Sequence, residues 1–195
     1  MTGCHIKAKP VPFTLQTVVD RQNSQQPAQL YRALRAKGTP SLQFIPQQDR
    51  DNPDAITDSQ WGTFLSAVFD VWVREDIGRV VVPLFDLTLA VWRDTPSTST
   101  QREYTALPPE CQTCMARPLC NSDGRTQRTD GKSVLCAGYQ AFFRHSAPHM
   151  RVMRDLIRHH RSPVELMALL HQSRQVTALS PDTSPSRRPG PCRRR

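Results

Sequence analysis

The 195-residue chain suits one domain, or one and a part, and is long enough to bury a core. Hydrophobic content is only 37%, and 17 prolines against 8 glycines point to long irregular connections. The net charge of +9 argues for no nucleic-acid partner, because Arg187, Arg188, Arg193, Arg194 and Arg195 supply five of those charges from a proline- and serine-rich stretch, with no groove-fitting element beside them.

No run of about eighteen apolar residues occurs, and Met1–Pro12 does not read as a signal peptide. A soluble, cytoplasmic protein without a membrane partner is therefore expected. Residues 1–12 read as a loose leader. Phe13–Asp20 alternates and is rich in β-branched residues, as a strand should be. Asn23–Gln26 reads as a turn, and Pro27 then stands in the first turn of a helix that buries Leu30, Tyr31 and Leu34 and stops at Gly38. Ser41–Pro46 reads as a second strand. Strand, helix and strand with short links make a βαβ unit, which implies a parallel pair.

Gln47–Ile56 is a polar loop. Thr57 and Gln60 form a capping box, followed at helical spacing by Trp61, Phe64, Leu65, Val68 and Trp72, so a helix is predicted to about Asp76 with its aromatic stripe in the core. Val80–Leu84 reads as a third strand, and Phe85–Trp92 as strand or helix. Residues 94–107 are polar and read as a linker. Beyond the cysteine-rich stretch 108–136, Gly138–His145 reads as helical and Pro148 as the opening of a further helix carrying Met150, Met153, Leu156 and Ile157. Ser162 and Glu165 form a second capping box leading into Leu166–Leu170, and disorder is predicted from Val176 onward.

Cys111, Cys114, Cys120 and Cys136 are spaced C-x2-C-x5-C-x15-C within 26 residues, with no cysteine between Cys4 and Cys111. Four thiolates on a short irregular segment can close a sulfur cage, which selects zinc or an iron–sulfur cluster over magnesium or calcium. In a reducing compartment such a group reads as a metal site rather than a disulfide framework. Cys4 and Cys192 lie in polar terminal segments and read as free. His145, His149, His159, His160 and His171 fall on a basic helical region and read as surface histidines. Asp20, Gln43 and Asp86 fall near predicted strand ends, where loop capping accounts for them.

The segments Thr17-Val-Val-Asp-Arg-Gln-Asn, Leu42-Gln-Phe-Ile-Pro, Gln60-Trp-Gly-Thr-Phe-Leu, Asp76-Ile-Gly-Arg-Val and Leu135-Cys-Ala-Gly-Tyr-Gln-Ala-Phe-Phe resemble, in order, the second half of the anaerobic sulfatase-maturating enzymes. These are radical S-adenosylmethionine proteins with a C-terminal SPASM domain. The resemblance runs from about residue 13 to residue 170. It implies an α/β fold: the C-terminal part of a partial (β/α) barrel over 13–93, the linker 94–107, a shortened cysteine-rich SPASM-like segment with C-terminal helices over 108–175, and a basic tail over 176–195. The family oxidises a sulfatase cysteine or serine to Cα-formylglycine, so the partner it implies is a sulfatase polypeptide.

The resemblance also implies three iron–sulfur clusters, one of which binds S-adenosylmethionine through C-x3-C-x2-C. No such motif occurs in these 195 residues. The family's cysteine-rich stretch after the position of Trp92 is missing, and Gly124 stands where its run has a fourth cysteine serving the first auxiliary cluster. The four residues matching the second auxiliary cluster are Cys111, Cys114, Cys120 and Cys136. The expectation is a truncated relative that keeps one auxiliary 4Fe–4S site and is inactive alone. The alternative is a zinc- or cluster-stabilised binding or electron-transfer module acting with a chain that supplies the missing barrel half.

Overall fold

A computed structural model describes residues 13–49, 51–94, 107–120 and 127–178, with side chains described to residue 172. The leader 1–12, most of the linker, Gly124, Cys4, Cys192 and residues 179–195 lie outside the described residues. β1 (Thr14–Val19) and β2 (Ser41–Pro46) pair in parallel in the register Thr14–Ser41 to Val19–Pro46. Between them, after one 3-10 turn at Asn23–Gln25, runs α1 (Pro27–Ala36), opened by its proline. It ends where Gly38 takes a φ of +74°, a left-handed conformation that costs glycine little. Tyr31 and Leu34 are buried as the periodicity demands, while Leu30 is half-buried.

The capping box forms as read: the Gln60 backbone N–H donates to Thr57 Oγ1 at 3.2 Å, and the Thr57 N–H to Gln60 Oε1 at 3.0 Å. It opens α2 (Asp58–Glu75), on which Trp61, Phe64, Leu65, Val68 and Trp72 are all buried. The expected third strand does not form. Only Val81 bridges Ser41, exchanging backbone bonds with Leu42 and Pro40. Pro83 is the reason: it has no N–H for a ladder and its fixed φ suits a first helical turn, so α3 (Pro83–Trp92) begins there.

The cysteine-rich stretch holds four short elements: α4 (Pro109–Gln112), α5 (Arg117–Cys120), β3 (Arg128–Thr129) and β4 (Lys132–Ser133). It leads into α6 (Cys136–Arg158), a single 23-residue helix with Pro148 inside it rather than at the start of a new one. Proline removes one backbone bond and crowds the preceding turn. That loss is outweighed by packing, because Tyr139, Phe142, Phe143, Ser146, Ala147, Met150, Met153 and Leu156 are buried on both sides of Pro148. α7 (Glu165–Ala178) starts after Pro163 and runs past Val176, where disorder was expected. Only part of the second box forms, with Glu165 Oε1 accepting from the Ser162 N–H at 3.2 Å.

α2 and α6 make the body of the molecule. Gly62 and Gly138 allow them to touch backbone to backbone: a Cβ on Gly138 would lie 2.2 Å from the Asp58 carbonyl oxygen. Around this crossing, Phe69 meets the rings of Trp72, Phe85, Phe142 and His149, and Trp61 stacks on Phe64 with Tyr139 edge-on. α1 is tied to the end of α2 by a network the sequence did not announce. Buried Asp76 accepts from Tyr31 Oη at 2.9 Å and from Arg35 at 2.6 Å, and Glu75 binds Arg32 and Arg35. Burial, and then the Asp76 carboxylate, push the Tyr31 phenol well above its ordinary pKa. Among the described residues no helix is long and apolar enough to cross a membrane.

Candidate metal centre

Two prolines at 108 and 109 start α4, which carries Cys111, its N–H donating to the Pro108 carbonyl at 2.9 Å. Cys114 follows at the exit of that turn, and its carbonyl accepts from the Arg117 N–H at 3.1 Å. α5 then presents Cys120, whose thiol donates to the Arg117 carbonyl at 3.3 Å. Ala116, Leu119 and Leu135 are buried and pin the segment to the body.

β3 and β4 form a two-residue hairpin whose turn residues, Asp130 and Gly131, have φ of 51° and 76°. Positive φ at both positions is the type I′ turn that matches strand twist, and Asp-Gly is a favoured pair for it. The Asp-Gly pair is a hairpin signal in the sequence itself. The hairpin brings Arg128 and Lys132 beside the cysteines, and Arg128 also donates to the Gly131 carbonyl at 2.8 Å. Ser133 Oγ accepts from the Leu135 N–H at 3.2 Å, and α6 then begins at Cys136 itself. One turn later Gln140 Nε2 lies 3.5 Å from Cys136 Sγ, so an amide donor faces that sulfur.

All four cysteines line one cleft, together with Arg117, Arg128, Lys132, Tyr139 and Gln140. Each is half-buried and none is in a disulfide. Burial pushes the Cys120 thiol up to about 11, with the Arg128 guanidinium pulling the other way and the charges of Cys136 and Cys114 adding to the rise. Burial likewise raises Cys136, opposed by Lys132 and reinforced by Cys111 and Cys114. Cys120 and Cys136 therefore sense the other thiols across the cleft, and burial favours their protonated forms. Binding a cation there would release protons.

The donor set fits a thiolate-bound centre: four sulfurs, three nearby cationic side chains to offset their charge, and an amide aimed at one sulfur. Among the described residues no three His, Cys, Asp or Glu side chains are grouped closely enough to hold a single metal ion.

The other singled-out residues stay apart from this cleft. Asp20 caps the loop after β1, accepting from the Gln22 and Asn23 N–H groups at 2.9 and 2.8 Å. Gln43 pairs with Gln16, and Asp86 lies in the first turn of α3 rather than at a strand end. His145, His159, His160 and His171 are exposed. His149 corrects the surface expectation. It is half-buried against Phe69, with Nδ1 unpaired, and burial lowers its pKa, with Arg74 adding to the shift.

No family model matches the chain. It is 43% identical over 158 residues to the uncharacterized protein YidF of Escherichia coli K12, covering 78% of this chain and 90% of YidF. It is 23% identical to the serine-type anaerobic sulfatase-maturating enzyme of Bacteroides thetaiotaomicron, covering 85% of this chain and 59% of the enzyme. The aligned length of 244 positions exceeds the chain, so the enzyme carries residues inside the matched region that this chain lacks. Among solved structures, native anSMEcpe with bound AdoMet superposes with a TM-score of 0.57 at 15% identity, over 74% of this chain and 58% of that one. The same protein with AdoMet and the Cp18Cys peptide gives the same score and coverage. The mixed, helix-rich α/β fold is thus the fold of part of that protein, and the chain belongs to the family of YidF, as an anaerobic sulfatase maturase-like protein matching the C-terminal half of those enzymes.

Proposed function

We propose that the chain is a trimmed relative of the sulfatase maturases that holds one auxiliary-type 4Fe–4S cluster on Cys111, Cys114, Cys120 and Cys136. The observation that carries this reading is the single cleft lined by those four thiols and by Arg117, Arg128 and Lys132. When bound, such a cluster supplies one-electron transfer and cross-links the segment that carries it. The residues of the chain do the rest. Arg128 and Lys132 offset thiolate charge at Cys120 and Cys136, the Gln140 amide faces the Cys136 sulfur, and Leu119 and Leu135 hold the segment against the body.

On this reading residues 13–93 are a barrel-type β/α half, 94–107 a linker and 108–175 the cluster-bearing segment, in a cytoplasmic protein. Radical initiation is not encoded in these 195 residues, which lack C-x3-C-x2-C, so a sulfatase polypeptide is a target only with that apparatus supplied. Anaerobic reconstitution followed by iron, sulfide and zinc analysis is the test. Four irons and four sulfides per chain are expected, whereas stoichiometric zinc without sulfide defeats the cluster assignment. Incubation with S-adenosylmethionine and reductant yields no 5′-deoxyadenosine, and its appearance would overturn the claim about initiation.

The second reading is a cluster- or zinc-stabilised module that works with a chain supplying further barrel strands. The observation favouring a partner is the exposure of Val18 on β1, at 53% among the described residues.

A further inference from the structure

A helix brings residues four positions apart onto one face, one above the other. On α6 that relation joins Cys136 and Gln140, and the Gln140 side-chain amide donates to Cys136 Sγ at 3.5 Å. Packing fixes the position of the donor. Tyr139 and Phe142, close to Gln140 in sequence, are both buried, so the helix cannot turn to carry the amide away. Gly138 holds the same turn against α2, where its backbone meets Asp58 and Gly62.

Cys136, Gln140, Lys132 and Ser133 also line a second, more polar cavity, shared with Asp58, Val134 and Ala137. These four residues are therefore the partition between that cavity and the cysteine cleft. Cys136 is moreover the first residue of a 23-residue helix, whose positive end favours negative charge on the sulfur. Burial raises this thiol, and both Lys132 and the Gln140 bond pull against that rise. Cys120 is arranged differently. Arg128 lies beside it, but its thiol donates to the Arg117 carbonyl at 3.3 Å, an acceptor that a thiolate has no proton to share with. The surroundings of Cys136 favour the ionised, ligating sulfur without that conflict.

We propose that Gln140 sets the reduction potential of the centre held by Cys111, Cys114, Cys120 and Cys136, acting through the Cys136 sulfur as a positioning residue and not as a ligand. The inference rests on the cluster reading above and deepens it. Charge decides the direction of the effect. Four thiolates make such a centre anionic, and taking up one electron adds a further negative charge that its sulfurs share. An N–H directed at one sulfur stabilises the reduced state more than the oxidised one, so it raises the potential. Removing that donor while keeping its bulk lowers the potential. Lys132 acts in the same direction, but it is exposed and screened by water, whereas the amide is in direct contact with the sulfur.

The test is a redox titration of the full chain, reconstituted anaerobically with iron and sulfide and followed by electron paramagnetic resonance, with dithionite supplying the electrons. Gln140→Met keeps the length of the side chain without its donor, and Gln140→Lys restores a donor of similar reach. At the wild-type midpoint, Gln140→Met is expected to shift the oxidised-to-reduced ratio about tenfold toward oxidised, equivalent to about 59 mV for one electron. Gln140→Lys is expected to titrate at or above the wild-type midpoint. A shift below about twofold in a fully loaded Gln140→Met chain would overturn the proposal. If that variant loses its iron, Gln140→Lys decides, and a midpoint below wild type overturns the proposal. Loss of iron from both variants while the wild-type chain keeps its own assigns Gln140 a structural role and overturns it equally. A wild-type chain that takes up neither iron nor sulfide defeats the cluster reading itself and this inference with it, so the two failures are told apart by the metal analysis.

Discussion

The α2/α6 body and the cysteine segment 107–136 are held together by different physics. In the body, Phe64, Phe69, Phe85 and Phe142 are fully buried and interlock ring against ring. That burial alone accounts for a stable element pair, at about 1.5–3 kcal/mol per large side chain. The cysteine segment instead has two four-residue helices and a hairpin of two residues a side, anchored chiefly by Ala116, Leu119, Ser133 and Leu135. Helices that short do not stand alone, so on the proposed reading the segment depends on what its thiols would hold. The body is complete in its own packing, whereas on the proposed reading the segment is a site completed by a ligand.

Truncating the centre of the body separates the two most sharply. Phe69→Ala removes a ring with four aromatic neighbours and is expected to cost about 3–5 kcal/mol in urea unfolding followed by circular dichroism. Metal uptake would then fail only because the body has unfolded. Gly138→Ala strikes the same body from its tightest contact, where the new Cβ would press on the Asp58 carbonyl at 2.2 Å. The expected loss is about 3 kcal/mol, since the neighbouring group is backbone and cannot rotate away. A change below about 0.5 kcal/mol would show that the helices can part there without penalty.

Cys120→Ser probes the other region. Removing one of four sulfurs should lower iron retention at least about tenfold and speed amide exchange across 107–136, while shifting the body's urea midpoint by less than about 1 kcal/mol equivalent. A matching collapse of the body would show that one cooperative unit spans both. The smallest effect is a pH dependence. The folded state holds the His149 pKa below its ordinary 6.5, mainly by burial. Below that value the unfolded chain takes up a proton the folded chain resists, so stability falls as pH drops from 7.5 toward 5. His149→Phe should flatten that slope in paired urea titrations, and an unchanged slope would assign it to another group.

Much of the cleft was legible because cysteine has few other uses at that spacing, and the aromatic stripe of α2 because period 3.6 leaves little choice of face. Thr57 and Gln60 were legible because a cap is a local contract between residues three apart. The third strand was misread because Val80–Leu84 has strand composition, and Pro83 decides the matter only once a ladder is required of it. Pro148 was misread for the opposite reason: its local penalty is plain in sequence, whereas the buried residues that outweigh it are brought in by α2 and α3.

What the order of residues determined by itself is the set of parts: a βαβ unit, two capped or proline-opened helices, and four sulfur donors ahead of a long helix. Spacing and local hydrogen bonding suffice for those, since each involves neighbours a few positions apart. Only the tertiary structure decided that Tyr31 would surrender its hydroxyl to Asp76, that Gly62 and Gly138 would meet, and that Arg128, Lys132 and Gln140 would face the sulfurs. Those pairings join residues far apart along the chain, and their strength comes from burial and low local dielectric, which exist only after the body has packed.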